Sequence, residues 1–178
     1  LVAGIIGTAP RLAEHLSRHP NLLDGVLTGQ FYEPVGTVLE LSANLSESLD
    51  AASDFQDVLD AARRWTHDRE FQIGMQLLRS MISGEEAGAA LSDVADATLR
   101  GLLPHVEAEF QRAHGEMPGG EFVIVGLGKL GGREVTFSSD LDVIFIYRGS
   151  AAEQTQSEGP RPLPLSQYYG RLSQRLVT

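Results

Sequence analysis

The run GLGKLGGREVTFSSDLDVIFIY, from Gly126 to Tyr147, is where the chain changes character. Just before it, Phe122–Val125 is a continuous apolar stretch, the pattern of a buried central strand. At its far end Leu141–Tyr147 predicts a second strand. Asp140 and Asp142 stand at i and i+2 where that second strand opens. On a strand such side chains point to one side, about 7 Å apart along the backbone. Two carboxylates that close repel each other unless a cation lies between them. The next residues on that side, Ile144 and Ile146, are apolar, so the acid pair marks the mouth of the strand. Asp140 and Asp142 are therefore candidate ligands for Mg²⁺, which takes oxygen donors and keeps waters or phosphates in its other positions. Carboxylate-held metals can clamp the oxygens of a phosphoryl transfer, which makes the same two residues catalytic candidates. The plainer alternative is a turn whose acids cap backbone amides.

Between the strands lies Gly126-Leu127-Gly128-Lys129-Leu130-Gly131-Gly132. Glycines let backbone N–H groups approach phosphate oxygens closely. Lys129 supplies a point charge for the same phosphates, and it is the only lysine among fourteen basic residues. The alternative is a hairpin loop that needs glycine for positive φ. Gly126, Gly128 and Gly131 also match the GxGxxG of dinucleotide-binding folds. That motif requires a crossover helix between its strands and an acid about 20 residues on. Here about nine residues separate Gly132 from the next strand, room for roughly two helical turns. The acids also precede the second strand instead of ending it. The spacing argues against a dinucleotide crossover.

A glycine-rich turn, a short helix and Ser-Asp-x-Asp opening a strand resembles the DNA polymerase β-like nucleotidyltransferase superfamily. More narrowly, residues 126–147 resemble the signature of the glutamine synthetase adenylyltransferase family, bifunctional enzymes that add and remove AMP. Gly-x-Gly-Lys-Leu-Gly-Gly-x-Glu and Ser-Asp-x-Asp are its specific parts, and both are complete here. Ile6–Pro10 through His19–Asp24 resembles the segment before the family's second catalytic core, and Tyr168–Leu176 the helix after its Asp-x-Asp strand. That order places the chain in the C-terminal half, which adds AMP. The resemblance implies an α+β fold: a mostly helical part over residues 1–116, then an incomplete nucleotidyltransferase α/β core over 117–178. It implies Asp140 and Asp142 as Mg²⁺ ligands, and Gly126, Gly128, Lys129, Gly131, Gly132 and Ser139 as the nucleotide site. ATP would be the substrate, and glutamine synthetase and a PII-type signal protein the partners. The family's third carboxylate lies on a later strand, beyond Thr178, so this stretch alone is expected to be inactive. The competing readings are the AMP-removing core and a non-catalytic helical module carrying a nucleotidyltransferase remnant.

Outward from the motif, residues 1–116 read as helical. Thr8 and Pro10 suit a helix start, with Leu12, Leu16 and Leu22 on one side. A pattern from Asp54 runs through Phe55, Val58, Leu59, Ala62 and Trp65 and resumes at Leu77, Leu78 and Met81. The polar His67–Glu70 between suggests a kink or exposed turn, and Gly84 an end. Leu91, Ala95, Leu99, Leu102, Val106 and Phe110 predict a second long helix, with Ser92 as its cap and a bend at Pro104. Gly115–Gly120 is a turn-rich break. Residues 149–164 read as a mobile loop, and Leu165–Thr178 as a helix with Tyr168 and Tyr169 half-buried.

Composition sets outer bounds. The chain has 178 residues, 42% of them apolar, enough for a real core. It lacks cysteine, which removes disulfides and thiolate metal sites and fits a reducing cytoplasm. A net charge of −10 repels a phosphate backbone, so nucleic acid is not an expected partner. No apolar run reaches the length of a membrane span, and no signal peptide is visible. Leu1 is not Met and Thr178 falls inside a helical pattern, so the sequence reads as a piece of a longer protein. His15 and His19, at i and i+4, read as surface histidines because no third ligand is evident. Arg63, Arg64 and Arg69 are expected to pair with Asp60, Asp68 and Glu70, Trp65 to be core, and Glu134 to brace the loop.

Overall fold

A computed structural model describes residues 30–149 and 156–177. The expected helix start at Thr8–Pro10, the pair His15 and His19, and the family-like segment 6–24 lie outside the described residues. The fold is α+β. A short 3₁₀ turn, Gln30–Tyr32, leads into three helices: α1, Val38–Asp50; α2, Phe55–Leu78; and α3, Gly84–His114. Strand β1, Glu121–Gly126, is followed by the one-turn helix α4, Gly128–Gly131, strand β2, Val143–Arg148, and helix α5, Leu165–Val177.

Each long helix begins on a side-chain cap. Thr37 and Ser83 form capping boxes with Glu40 and Glu86, and Asp54 caps α2 through the Asp57 amide. These bonds satisfy amides that have no partner inside the helix. Leu41, Leu45 and Leu49 recur every four residues along α1 and are all buried. They meet Val58, Ala62 and Trp65 of α2 and Leu91, Val94 and Ala97 of α3 in one core. Burying a leucine this fully contributes about 1.5–3 kcal/mol. Gly101 lets α1 come close: a Cβ there would stand 2.7 Å from Leu45 Cδ2.

Three helix expectations change. α2 runs unbroken through His67–Glu70. Phe71, Ile73 and Met75 are buried just beyond that polar turn, and Gln72 and Gln76 donate to the carbonyls of Phe31 and Glu33. Tertiary burial on both sides outweighs the local polarity. Gly84 opens α3 instead of closing α2, and α3 starts at the Ser83 cap. Ser92 is thus inside the helix, buried, with its hydroxyl donating to the Gly88 carbonyl. Pro104 sits within α3, which continues to His114.

The two strands pair antiparallel, from Glu121 opposite Arg148 to Gly126 opposite Val143. β1 is not a buried central strand: Val123, Ile144 and Ile146, on one face, are 54%, 44% and 52% exposed. The other face is partly covered. Phe122 stacks on Phe145 and on Tyr169, and Tyr147 stacks on Tyr169. Tyr168 and Tyr169 are buried, not half-buried, in a second core with Val106, Phe110, Met117, Leu163 and Leu172. The Tyr168 hydroxyl still reaches a partner, the Gly115 carbonyl, at 3.0 Å. Both cores draw on residues from each side of position 116.

The described part of the expected mobile loop is tied down. Glu158 donates to the Glu116 carbonyl and Arg161 to that of Ala113. Gly115 and the Glu158–Gly159 backbone approach so closely that neither glycine has room for a Cβ.

Candidate functional site

The site is built on the link between β1 and β2. β1 ends at Gly126, and the strand ladder gains one more bond, from the Leu127 amide to the Asp142 carbonyl at 2.8 Å. That bond brings the glycine turn and the second aspartate together. Gly128 has φ +49°, a left-handed value that disfavours any residue with a Cβ. A Cβ there would also run into the Asp142 carboxylate. The turn is equally tight at its other end, where a Cβ on Gly131 would lie 2.7 Å from the Gly126 carbonyl oxygen.

Within the turn, Gly131 donates to Leu127, Gly132 to Gly128, Arg133 to Leu130 and Glu134 to Lys129. The Gly128, Lys129 and Leu130 amides precede the first of these helical bonds. Gly131 and Gly132 thus have their amides engaged within the turn, while the amides of residues 128–130 stand at its start. Lys129 is exposed on this turn. The Glu134 amide holds the Lys129 carbonyl, and a Cβ on Gly132 would stand 3.2 Å from Glu134 Oε1.

Asp140 and Asp142 both lie in the loop just before β2, which begins at Val143, and both are exposed. Ser139 is engaged with the loop. Its hydroxyl accepts from the Thr136 amide at 3.0 Å and lies 2.8 Å from the Thr136 hydroxyl. The Ser139 amide donates back to the Thr136 carbonyl. This closed turn delivers the chain to Asp140.

The helical part holds the site from behind. Val135 is buried in the first core, and its amide donates to Ser92 Oγ at 3.4 Å. Arg133 reaches Asp93 on α3 at 2.8 Å. These anchors were not legible as site residues. The available signal was Gly88 and Ser92, two small residues one helical turn apart, which permit a backbone to lie against α3. A cavity of about 450 Å³ opens between α3 and β1, lined by Leu99, Leu103, Phe122, Ile124, Leu130 and Gly131 among others. It lies at the back of the turn and includes neither aspartate. The acid pair and Lys129 instead occupy an open surface.

Of the remaining candidates, Arg63 makes an expected ion pair, whereas Arg69 bonds neutral side chains where a carboxylate partner was expected. Arg63 pairs with Asp60 at 3.2 Å. Arg69 donates to Gln72 and Asn44, and Asn44 also accepts from the Trp65 indole at 2.7 Å. No group of three or more metal-binding side chains forms among the described residues. No helix among them is long and apolar enough to cross a membrane.

Comparison with known proteins is consistent along the chain. The family model for glutamate-ammonia ligase adenylyltransferase matches residues 1–178. The bifunctional glutamine synthetase adenylyltransferase/adenylyl-removing enzyme of Brucella suis biovar 1 is 41% identical over 177 residues, 99% of this chain. The enzymes of the same name from Mesorhizobium japonicum and Xanthobacter autotrophicus are 40% and 39% identical over 178 residues, the whole chain. The chain spans 18% of the length of each of these relatives.

Proposed function

The chain belongs to the glutamate-ammonia ligase adenylyltransferase family, and from that premise we propose that it supplies part of the core that moves AMP from ATP to a tyrosine of glutamine synthetase. The observation that carries this reading is the Asp142 carboxylate resting on Gly128, at a position only glycine leaves open. An acid and a turn of amides meet at one point, as the metal-bound triphosphate of a nucleotide requires.

The donor set fits Mg²⁺. Asp140 and Asp142 offer hard carboxylate oxygens, both exposed, and waters and phosphate oxygens would complete the shell. Bound there, Mg²⁺ would draw negative charge from the phosphate under attack. The chain's own groups hold the nucleotide. The Gly128–Leu130 amides and the Lys129 ammonium would meet the triphosphate oxygens and hold them alike before and during transfer. Ser139 keeps Asp140 in place through its turn with Thr136. Glutamine synthetase and a PII-type signal protein are the proposed partners, in the cytoplasm.

The relatives' shared name carries a second activity, removal of AMP, and the same geometry serves it. The test uses the full-length protein with Mg²⁺, glutamine synthetase and ATP labelled at the α-phosphate. Transfer of label to glutamine synthetase, lost when the site is altered, supports the adding core. Site-dependent loss of label from adenylylated glutamine synthetase that requires phosphate, which takes up the adenylyl group to leave as ADP, supports the removing core. Absence of Mg·ATP binding would overturn the nucleotide reading and leave a helical module.

A further inference from the structure

The glycine turn is held from two directions. On the sheet side, the Leu127 amide bonds the Asp142 carbonyl and Gly128 abuts the Asp142 carboxylate. On the helical side, the chain leaving the turn lies directly on α3. A Cβ on Gly88 would stand 3.3 Å from Glu134 Cα, and Val135 is buried with its amide on Ser92. Arg133 begins this contact with φ 58°, a left-handed conformation that a residue with a Cβ disfavours. Such a conformation persists where surrounding contacts hold it. Here the Arg133 amide on the Leu130 carbonyl and the Glu134 amide on the Lys129 carbonyl hold the backbone, and the Arg133 guanidinium then reaches Asp93, whose side chain is only 18% exposed. Seven residues span Leu127 to Arg133, and four hydrogen bonds run through the turn and its exit. A shift of Arg133 on α3 therefore passes to Gly128.

The geometry points to Arg133 and Asp93 as positioning residues: their ion pair seats the glycine turn on α3, and so sets how Gly128–Leu130 stand beside Asp142 to receive Mg·ATP. This role rests on the nucleotide-binding reading above. Neither side chain needs to touch the nucleotide. Their effect falls on nucleotide affinity, because the turn binds the same triphosphate in the ground state and the transition state.

The test measures the Kd of Mg·ATP by calorimetry on the full-length protein, together with KM and kcat for labelling. Asp93→Asn and Arg133→Gln should each weaken binding by about three- to fivefold, the scale of a partly exposed ion pair. KM should rise with kcat nearly unchanged. The double variant should be no weaker than either single one, because both remove the same interaction. Arg133→Lys should recover most of the affinity. Arg133→Gly relaxes the left-handed backbone while deleting the guanidinium, so a loss there assigns the effect to the ion pair. Wild-type affinity in folded Asp93→Asn and Arg133→Gln, or additive losses in the double variant, would overturn the role. Should Asp93→Asn unfold, the half-exposed Arg133 variants decide. A wild-type protein that binds no Mg·ATP would instead bring down the nucleotide reading itself.

Discussion

Gly128 and Asp142 are in van der Waals register: the carboxylate of one fills the space where the other would carry a side chain. Gly128→Ala therefore meets two obstacles, the clash and a φ of +49°. The left-handed backbone alone costs about 1–2 kcal/mol. Mg·ATP affinity of the full-length protein should fall by about tenfold or more, since 1.4 kcal/mol corresponds to a factor of ten. Calorimetric titration checks this, and unchanged affinity would show that the contact is not part of the site.

Asp140→Asn and Asp142→Asn keep the shape of the loop and remove a charge each. AMP transfer to glutamine synthetase should drop by about 10²–10³-fold, as for loss of one preorganised group at developing charge. Chelation of Mg²⁺ should abolish transfer, and Mg²⁺ added back should restore it. Full activity in Asp142→Asn would reassign the pair to loop capping.

Stability should respond to acid through the helix caps. Hydrogen bonds from the Thr37 amide and hydroxyl hold Glu40 below its ordinary pKa, and those from Ser83 do the same for Glu86. A depressed carboxylate contributes stability above its unfolded pKa and loses it as pH falls through the folded value. Glu70 and Glu107 shift the other way because burial raises them, so acid relieves their penalty. Thermal melts between neutral and acid pH should show a loss below the ordinary glutamate range that Glu40→Gln and Glu86→Gln diminish. Glu70→Gln should raise the melting temperature at neutral pH.

The 156–164 segment is locked to the end of α3 through glycine against glycine. Gly115→Ala and Gly159→Ala each push a methyl into backbone, not into a side chain that can swing away. Overpacking of this kind costs about 1–3 kcal/mol. Gly115 also sits at φ 72°, so its variant should be the less stable of the two. Chemical denaturation of the folded protein measures both. Gly170→Ala, inside α5 with nothing within 4 Å of the added methyl, should instead stabilise by about 0.5–1 kcal/mol.

What could be read in advance was whatever depends on neighbours in sequence. The glycine turn and the acid pair are sixteen residues apart or less, so spacing alone argued against a crossover helix, and the structure pairs the two strands directly. The Thr37 and Ser83 caps are just as local, three residues from their partners, but the apolar pattern put the start of α3 at Ser92 instead. Periodicity marked α2 and α3 only in part and did not mark α1, and burial of Phe71 and Ile73 carries α2 through a polar turn that local pattern reads as a break.

Tertiary structure alone decided the rest. Ser92 looks like a cap in sequence and is in fact the buried hydroxyl on which Val135 rests, 43 residues away. Phe122–Val125 reads as a doubly buried strand, yet Tyr169 partly covers one face and the other is exposed. Asp93 and Arg133 carry no local signature, since an ion pair 40 residues apart depends on how a helix and a turn pack. Local sequence set which groups meet within one turn; packing between distant elements set where that turn points.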